Sequence, residues 1–228
     1  MHAPPAMPSS AWKAFLANAE DIERLLKLHE REGGIQRGRR FGLEVLNKSA
    51  IVLITSFWEA YCEDIAAEGL NHLIEHAPGA SALPEELRKV IAKELKEDQH
   101  ELRVWDLAGD GWRDALRSRA EKLREARNRK LNTPKTQNID ELFLSALGIE
   151  EISLAWHWPK KMTVARARQK LDRFVTLRGE IAHRGQAGAS VTKAQVVDYY
   201  EFIQKIGSKT GGRVNANVKS ITGTPLWT

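Results

Sequence analysis

Residues 38–76 constrain this chain more than any other stretch. Leu43, Leu46, Ala50, Leu53, Phe57, Tyr61 and Ile65 follow one another in steps of three or four, the recurrence of one face of a helix. The middle of the run, "AIVLITSFW", is apolar on nearly every side. A helix like that has no face to give to water, so it predicts the centre of a helical bundle. The apolar run is also far shorter than the roughly 20 residues a membrane helix needs.

The neighbours it requires can be read on either side. Ser9 and Ser10 are placed to cap a helix over residues 11–32, with Phe15, Ala19, Ile22, Leu25 or Leu26 and Leu28 or His29 at helical spacing. "GG" at 33–34 ends it. "APGASALPEE" breaks the central helix, and Pro84 opens a short helix reaching about residue 97. A basic helix covers 112–130, "NTPKTQ" is a loop, and "NIDELFLSALGI" is a capped helix stopped by Gly148. After the loop "WHWPKKMT", Thr163 caps the helix that carries "DRFVTLRGEIAHRGQ". A last helix runs over 192–208, and a Gly-, Thr- and Asn-rich tail occupies 209–228. No segment alternates with the period of a strand. The expectation is one all-α, bundle-like domain over residues 1–228, elaborated by a helical insertion at 78–137.

Hydrophobic residues at 42% and charged residues at 29% suit a soluble chain with a sizeable core. The single cysteine, Cys62, rules out an intramolecular disulfide and fits a reducing compartment. The opening "MHAPPAMPSS" has no basic stretch followed by an apolar one, so no secretory signal is expected and the chain reads as cytoplasmic, with no membrane partner. Charge is unevenly distributed. Residues 54–101 hold eleven acidic side chains against four basic, residues 112–135 nine basic against three acidic, and residues 159–184 eight basic against two. Such segregation predicts a basic face, and polyanions are the usual partner of one. Arg127, Arg129, Lys130, Lys160 and Lys161 are the candidates for phosphate contact.

Two features invite a different chemistry. "HLIEH" at 72–76 has the H-x-x-E-H spacing of inverted zinc peptidases. Its place at a helix end, in a chain without strands, reads instead as a solvated terminus, and no metal site is expected. The seven tryptophans stand among apolar positions and read as core anchors more than as base-stacking platforms.

In the helix after Thr163, the residues Val164, Ala167, Leu171, Phe174, Val175, Ile181 and Ala182 form one apolar stripe, and Arg178 falls inside it. A guanidinium facing a core is costly unless it is paired or lines a cleft. Glu180 beside it, or Glu59 or Asp64 on the central helix, could supply a carboxylate. His183 follows five residues later, about 140° around a regular helix. Gly185 is a good left-handed terminator, so the helix is expected to unwind at His183 and let the imidazole turn toward Arg178.

"LRGEIAHRG" resembles the R-x(4–6)-H signature of the HEPN superfamily, and most of all its RiboL-PSP-type branch, which typically reads R-N-x-I-A-H-G. "ITSFWEAYCEDI" at 54–65 is similar to that family's central-helix pattern, and "NIDELFLSALGI" to its N-I-x-x-L-F-x-x-x-G segment. "VTKAQVVDYYEFI" and "NVKSITGTPLW" resemble its C-terminal part. The resemblance implies an all-α bundle that dimerises with the motif helices facing across a composite cleft. Many members are metal-independent endoribonucleases, often toxins or antiviral effectors, and others are binding modules only. Carried over, Arg178 and His183 are the catalytic pair and Glu180 and Arg184 their flanks. RNA, a second copy of the chain and an antitoxin or other regulatory protein are the implied partners, with no cofactor. Active members often have Asn or another polar residue after the arginine, where this chain has Gly179.

Overall fold

The apolar run forms α2 (Glu44–His76), and every other helix except α3 packs directly on it. The computed structural model describes residues 9–33, 42–97, 101–127, 133–184 and 190–227. Among these there are seven α-helices and no strand beyond one isolated bridge, Trp158 to Met162. Ile51, Ile54, Trp58, Cys62, Ile65, Leu70 and Leu73 are buried all along α2. Each large apolar side chain withdrawn in this way contributes about 1.5–3 kcal/mol.

α1 (Ser10–Gly33) begins as the serines predict, with Ser9 Oγ accepting from the amide of Trp12 at 3.1 Å. The Ala11 amide donates to the Glu68 carboxylate of α2 at 2.6 Å, and an anion is favoured at that helix end. Trp12 and Phe15 stack at 5.1 Å, and Tyr61 meets Trp12 edge-on at 5.4 Å. The expected start of α2 at residue 38 lies outside the described residues.

The segment 78–137 adds α3 (Glu85–Lys96), a 3-10 turn (Glu101–Leu107) and α4 (Gly111–Arg127). Leu87, Ile91, Trp112 and Leu116 bring it into the same core as the rest of the chain. α5 (Thr136–Leu147) is stopped by Gly148 at φ 66° as expected, the left-handed region that glycine enters without strain. A 3-10 turn (Ile152–Ala155) then leads into α6 (Val164–Arg184).

The last helix overturns the expected ending at residue 208. α7 runs from Lys193 to Thr222, so most of the expected tail, 209–228, is helix. Its start is the predicted one, a capping box in which Thr192 and Gln195 exchange side-chain and backbone hydrogen bonds. The helix persists because Ile206, Thr210, Gly211, Val214 and Val218 recur on one face and are all buried. Gly207 is needed there, since a Cβ on it would meet the Trp12 ring at 2.9 Å. Beyond the helix, Asn215 Oδ1 accepts from the amide of Leu226 at 2.7 Å and folds the following segment back.

Candidate functional site

Polar side chains fix α6 before its motif is reached. Thr163 Oγ1 accepts from the Arg166 amide at 3.3 Å, the predicted cap. Arg168 donates to Ser153 Oγ and to Glu151, each at 2.9 Å, while Ser153 is held by the Asp140 carboxylate through its amide and its hydroxyl. Asp172 reaches across to accept from the first amide of α5, that of Thr136, at 2.8 Å, a carboxylate on a helix N-terminus. Lys170 pairs with Asp198 of α7 at 2.6 Å. Ala167, Leu171, Phe174, Val175 and Ile181 are buried as the stripe requires. Ala182 is exposed and departs from it, because the core ends at Ile181.

Arg178 is half-buried at this margin, with its Nε shielded from solvent. Its charge is felt at Glu59 on α2. Burial pushes the Glu59 carboxyl above the usual carboxylate range, and the Arg178 guanidinium pulls it part of the way back. Glu180 is exposed, about 200° around the helix from Arg178. Glu59, one of the carboxylates expected to answer the arginine, feels its charge. Nearby Cys62 is fully buried, and burial raises its thiol well above the ordinary range, which leaves no thiolate for chemistry.

His183 does not turn toward Arg178. α6 remains helical through Arg184, so His183 is an exposed side chain on a regular helix, about 140° from the arginine. The unwinding expected at this point is not seen. Arg184 is the last residue of α6, its side chain is not described, and Gly185 lies outside the described residues. On one chain the two signature residues therefore face different ways. On helical geometry His183 falls on the side of an open groove along α6 lined by Arg173, Thr176, Leu177 and Glu180.

Of the candidate phosphate contacts, only Lys160 and Lys161 have described side chains. Arg127 ends α4 and its side chain is not described, and Arg129 and Lys130 lie outside the described residues. Lys160 and Lys161 are exposed at the tip of a small hairpin closed by the Trp158–Met162 bridge. The hairpin precedes α6, whose first residue, Val164, is about 21 Å along the helix axis from Arg178. The basic charge of α4, moreover, is largely engaged within the molecule. Arg113 donates to the carbonyls of Ile74 and Ala77, capping α2. Arg119 is buried and donates to Ser145 O and to Glu94, which also holds Lys122. Arg117 pairs with Asp114 and Arg124 with Glu121. The excess on that helix is structural to a degree that composition does not reveal.

"HLIEH" is also accounted for. His72 Nε2 lies 3.3 Å from Thr222 Oγ1 and 3.1 Å from Thr224 O, tying α2 to the end of α7. Among the described residues no group of three or more His, Cys, Asp or Glu side chains is arranged to hold a metal ion.

The family model for RiboL-PSP-HEPN matches residues 15–213 of this chain, well over half of its length. The chain belongs to the RiboL-PSP-HEPN family. No curated protein and no solved structure matches it. HEPN domains are typically ribonucleases, and the all-helical architecture of this one agrees with the HEPN bundle. The match takes in the motif helix of this HEPN domain, the Glu59 segment and the first two-thirds of α7. No described helix is long and apolar enough to cross a membrane. The sequence reading of this HEPN domain missed the cations of α7, Lys205, Lys209, Arg213 and Lys219, because it assigned most of them to a tail. The signal was nonetheless available: no acidic residue occurs after Glu201.

Proposed function

We propose that this HEPN protein is a metal-independent endoribonuclease that works as a homodimer in a toxin or phage-defence role, restrained by an antitoxin or other regulatory protein. The supporting observation is the placement of Arg178. It lies in the motif register on the core-facing side of α6, where the core gives way to solvent, with a guanidinium that acts on Glu59. An arginine held there is oriented by the fold and still reachable by a phosphate. Its planar, permanently charged fork suits the non-bridging oxygens of a phosphodiester in the transition state.

In the proposed reaction the His183 imidazole takes the proton of a ribose 2′-hydroxyl, and the 2′-oxygen attacks phosphorus. The bond from phosphorus to the 5′-oxygen breaks, leaving a 2′,3′-cyclic phosphate, and the 5′-oxygen receives a proton from His183 of the other protomer. Histidine titrates near neutrality and serves either role. Because Arg178 and His183 diverge on one α6, the site is assembled only when two motif helices face each other.

A second reading rests on two observations. Gly179 supplies no side chain after the arginine, and the regular helix keeps the pair apart. Both suit a silent HEPN module that binds nucleic acid, or a dimeric scaffold. The deciding experiment is cleavage of RNA by purified protein in EDTA. Under the nuclease reading Arg178→Lys folds normally and loses most activity, since an ammonium cannot reproduce the fork. His183→Ala loses roughly 10²–10⁴-fold in rate. No cleavage by the wild type, with both variants binding RNA as it does, leaves the silent module.

A further inference from the structure

α6 meets α7 near the start of the latter, through the Lys170–Asp198 pair and through Phe174 beside Tyr199 at 4.4 Å. The outward face of α7 changes character along its length. Asp198 and Glu201 occupy its first turns, and then Lys205, Lys209, Arg213 and Lys219 follow, all exposed. Residues 202–228 contain these four cations and no acidic residue. Gly212, Ala216 and Ser220 fill the face between them, so nothing bulky or apolar interrupts it.

The hairpin before α6 extends the same surface. Lys205 Nζ lies 5.9 Å from the centroid of Trp158, whose ring is backed by Phe202 at 6.5 Å. Trp158 thereby fixes the hairpin whose tip carries Lys160 and Lys161. Among the described residues none of these six cations enters an ion pair, in contrast with those of α4. Like charges spaced i, i+4 on an exposed helix destabilise it slightly, and here no carboxylate offsets them.

We infer that the α7 face, with the Lys160–Lys161 hairpin, is a binding track for the sugar–phosphate backbone of single-stranded RNA. The assignment rests on the ribonuclease reading and adds to it where the substrate lies outside the reacting centre. Four observations favour a nucleic-acid strand. The cations share one broad face, Lys205 to Lys219 cover about 21 Å of helix axis, Lys205, Lys209 and Arg213 are about one helical turn apart with Lys219 six residues on, and an indole ring flanks one end. A membrane surface would call for a row of large apolar side chains beside the cations, and along α7 this face carries only Gly212, Ala216 and Ser220 between them. Lys205 lies about 10 Å and Lys219 about 31 Å along α7 from the Asp198–Tyr199 contact with the motif helix. The track therefore grips strand beyond the cut and favours longer RNA.

The test is fluorescence anisotropy with a labelled 2′-O-methyl oligouridylate of about 20 nucleotides, which binds without being cut. The variant Lys205→Gln/Lys209→Gln/Arg213→Gln is compared with Arg117→Gln/Lys122→Gln/Arg124→Gln, which removes the same charge from α4. For single strands each phosphate contact contributes about 0.7 to the slope of log K against log salt. Three lost contacts should lower the slope by about 2 and weaken binding about 100-fold at 0.1 M salt, while the α4 variant stays close to wild type. On unmodified RNA the α7 variant should raise KM with kcat unchanged. Equal losses in the two variants, an unchanged slope in the α7 variant, or stronger dependence of phosphatidylserine vesicle binding than of RNA binding on the three cations would each overturn the track. A wild type that binds in this way and cleaves nothing would overturn only the nuclease reading.

Discussion

Thr210 is where α7 can be tested as a structural element. Its side chain is fully buried, and its Oγ1 accepts from the indole N–H of Trp156 at 2.9 Å. Trp156 is fully buried too and stands edge-on to Trp58 of α2 at 5.8 Å. Thr210→Val keeps the volume and removes the acceptor, so the indole N–H is left in the core without one. An orphaned buried donor costs about 1–3 kcal/mol, and for a chain of this size each kcal/mol lowers Tm by about 2–4 °C. Thermal and urea unfolding followed by circular dichroism should therefore show Tm falling by about 2–12 °C with the urea m-value unchanged. Thr210→Ser retains the hydroxyl and should lose only the methyl contribution, about 1 kcal/mol. In a Trp156→Phe background there is no donor to orphan, and Thr210→Val should then cost less than about 0.5 kcal/mol. Wild-type stability for Thr210→Val, or the same cost in both backgrounds, would refute the argument and return residues 209–228 to a loosely attached tail.

Glu59 gives a pH signature: burial raises its carboxyl from the ordinary 4.5, so its ionised form is disfavoured by folding. Its stabilising effect is fullest below that ordinary value and is lost as pH rises through the raised one, so Glu59→Gln should flatten the fall in stability that sets in above about pH 4.5 and not lower it at neutrality, as urea titrations would show. Gly148→Ala should cost about 1–3 kcal/mol in melting experiments, because φ is 66° and the new Cβ would lie 2.6 Å from Pro84 Cβ. Thr176→Arg, on the exposed side of α6, should convert a dimer to monomer in sedimentation without lowering Tm, and a wild type that is already monomeric at tens of micromolar would exclude the composite site.

Periodicity made the bundle legible, and it failed where the residues were small. Apolar spacing located α1, α5 and α6 to within a few residues, because long side chains declare a buried face, whereas α2 begins at Glu44, six residues after its expected start. The second half of α7 declares it through Gly207, Thr210 and Gly211, residues of low helix propensity that look like a tail. They are helical because only a narrow face lets α7 approach Trp12 and Tyr61, whose hydroxyl donates to Gly207 O at 2.9 Å. Arg178 was legible for the opposite reason, as a charge interrupting an otherwise consistent stripe. Its relation to His183 was not, because Gly185 signalled an end to α6 that the helix does not reach before Arg184. Net charge by segment pointed to α4, where Arg113 and Arg119 prove to be internal donors. A run of cations tells how much charge is present, and only the partners of each one tell how much remains for a ligand.

The packing of α7 on α2 sets an order of events during synthesis. Asn47 donates to Val191 O and Tyr61 to Gly207 O, contacts separated by 144 and 146 residues in sequence. At about 5–20 residues per second, a ribosome takes roughly 7–30 s to travel between such partners. For that interval the most apolar helix of the protein can gather α1, α4, α5 and α6 but lacks α7, one of its two most extensive neighbours. Long-range closure of this kind slows folding and exposes the nascent chain to aggregation. It also means that Arg178, made before α7, has no finished bundle beneath it until α7 has emerged. A chain interrupted before Gly207 would carry the whole R-x(4)-H motif and lack the helix that completes its support. Translation thus supplies a delay before the motif helix has its full support, which under the ribonuclease reading would also delay activity.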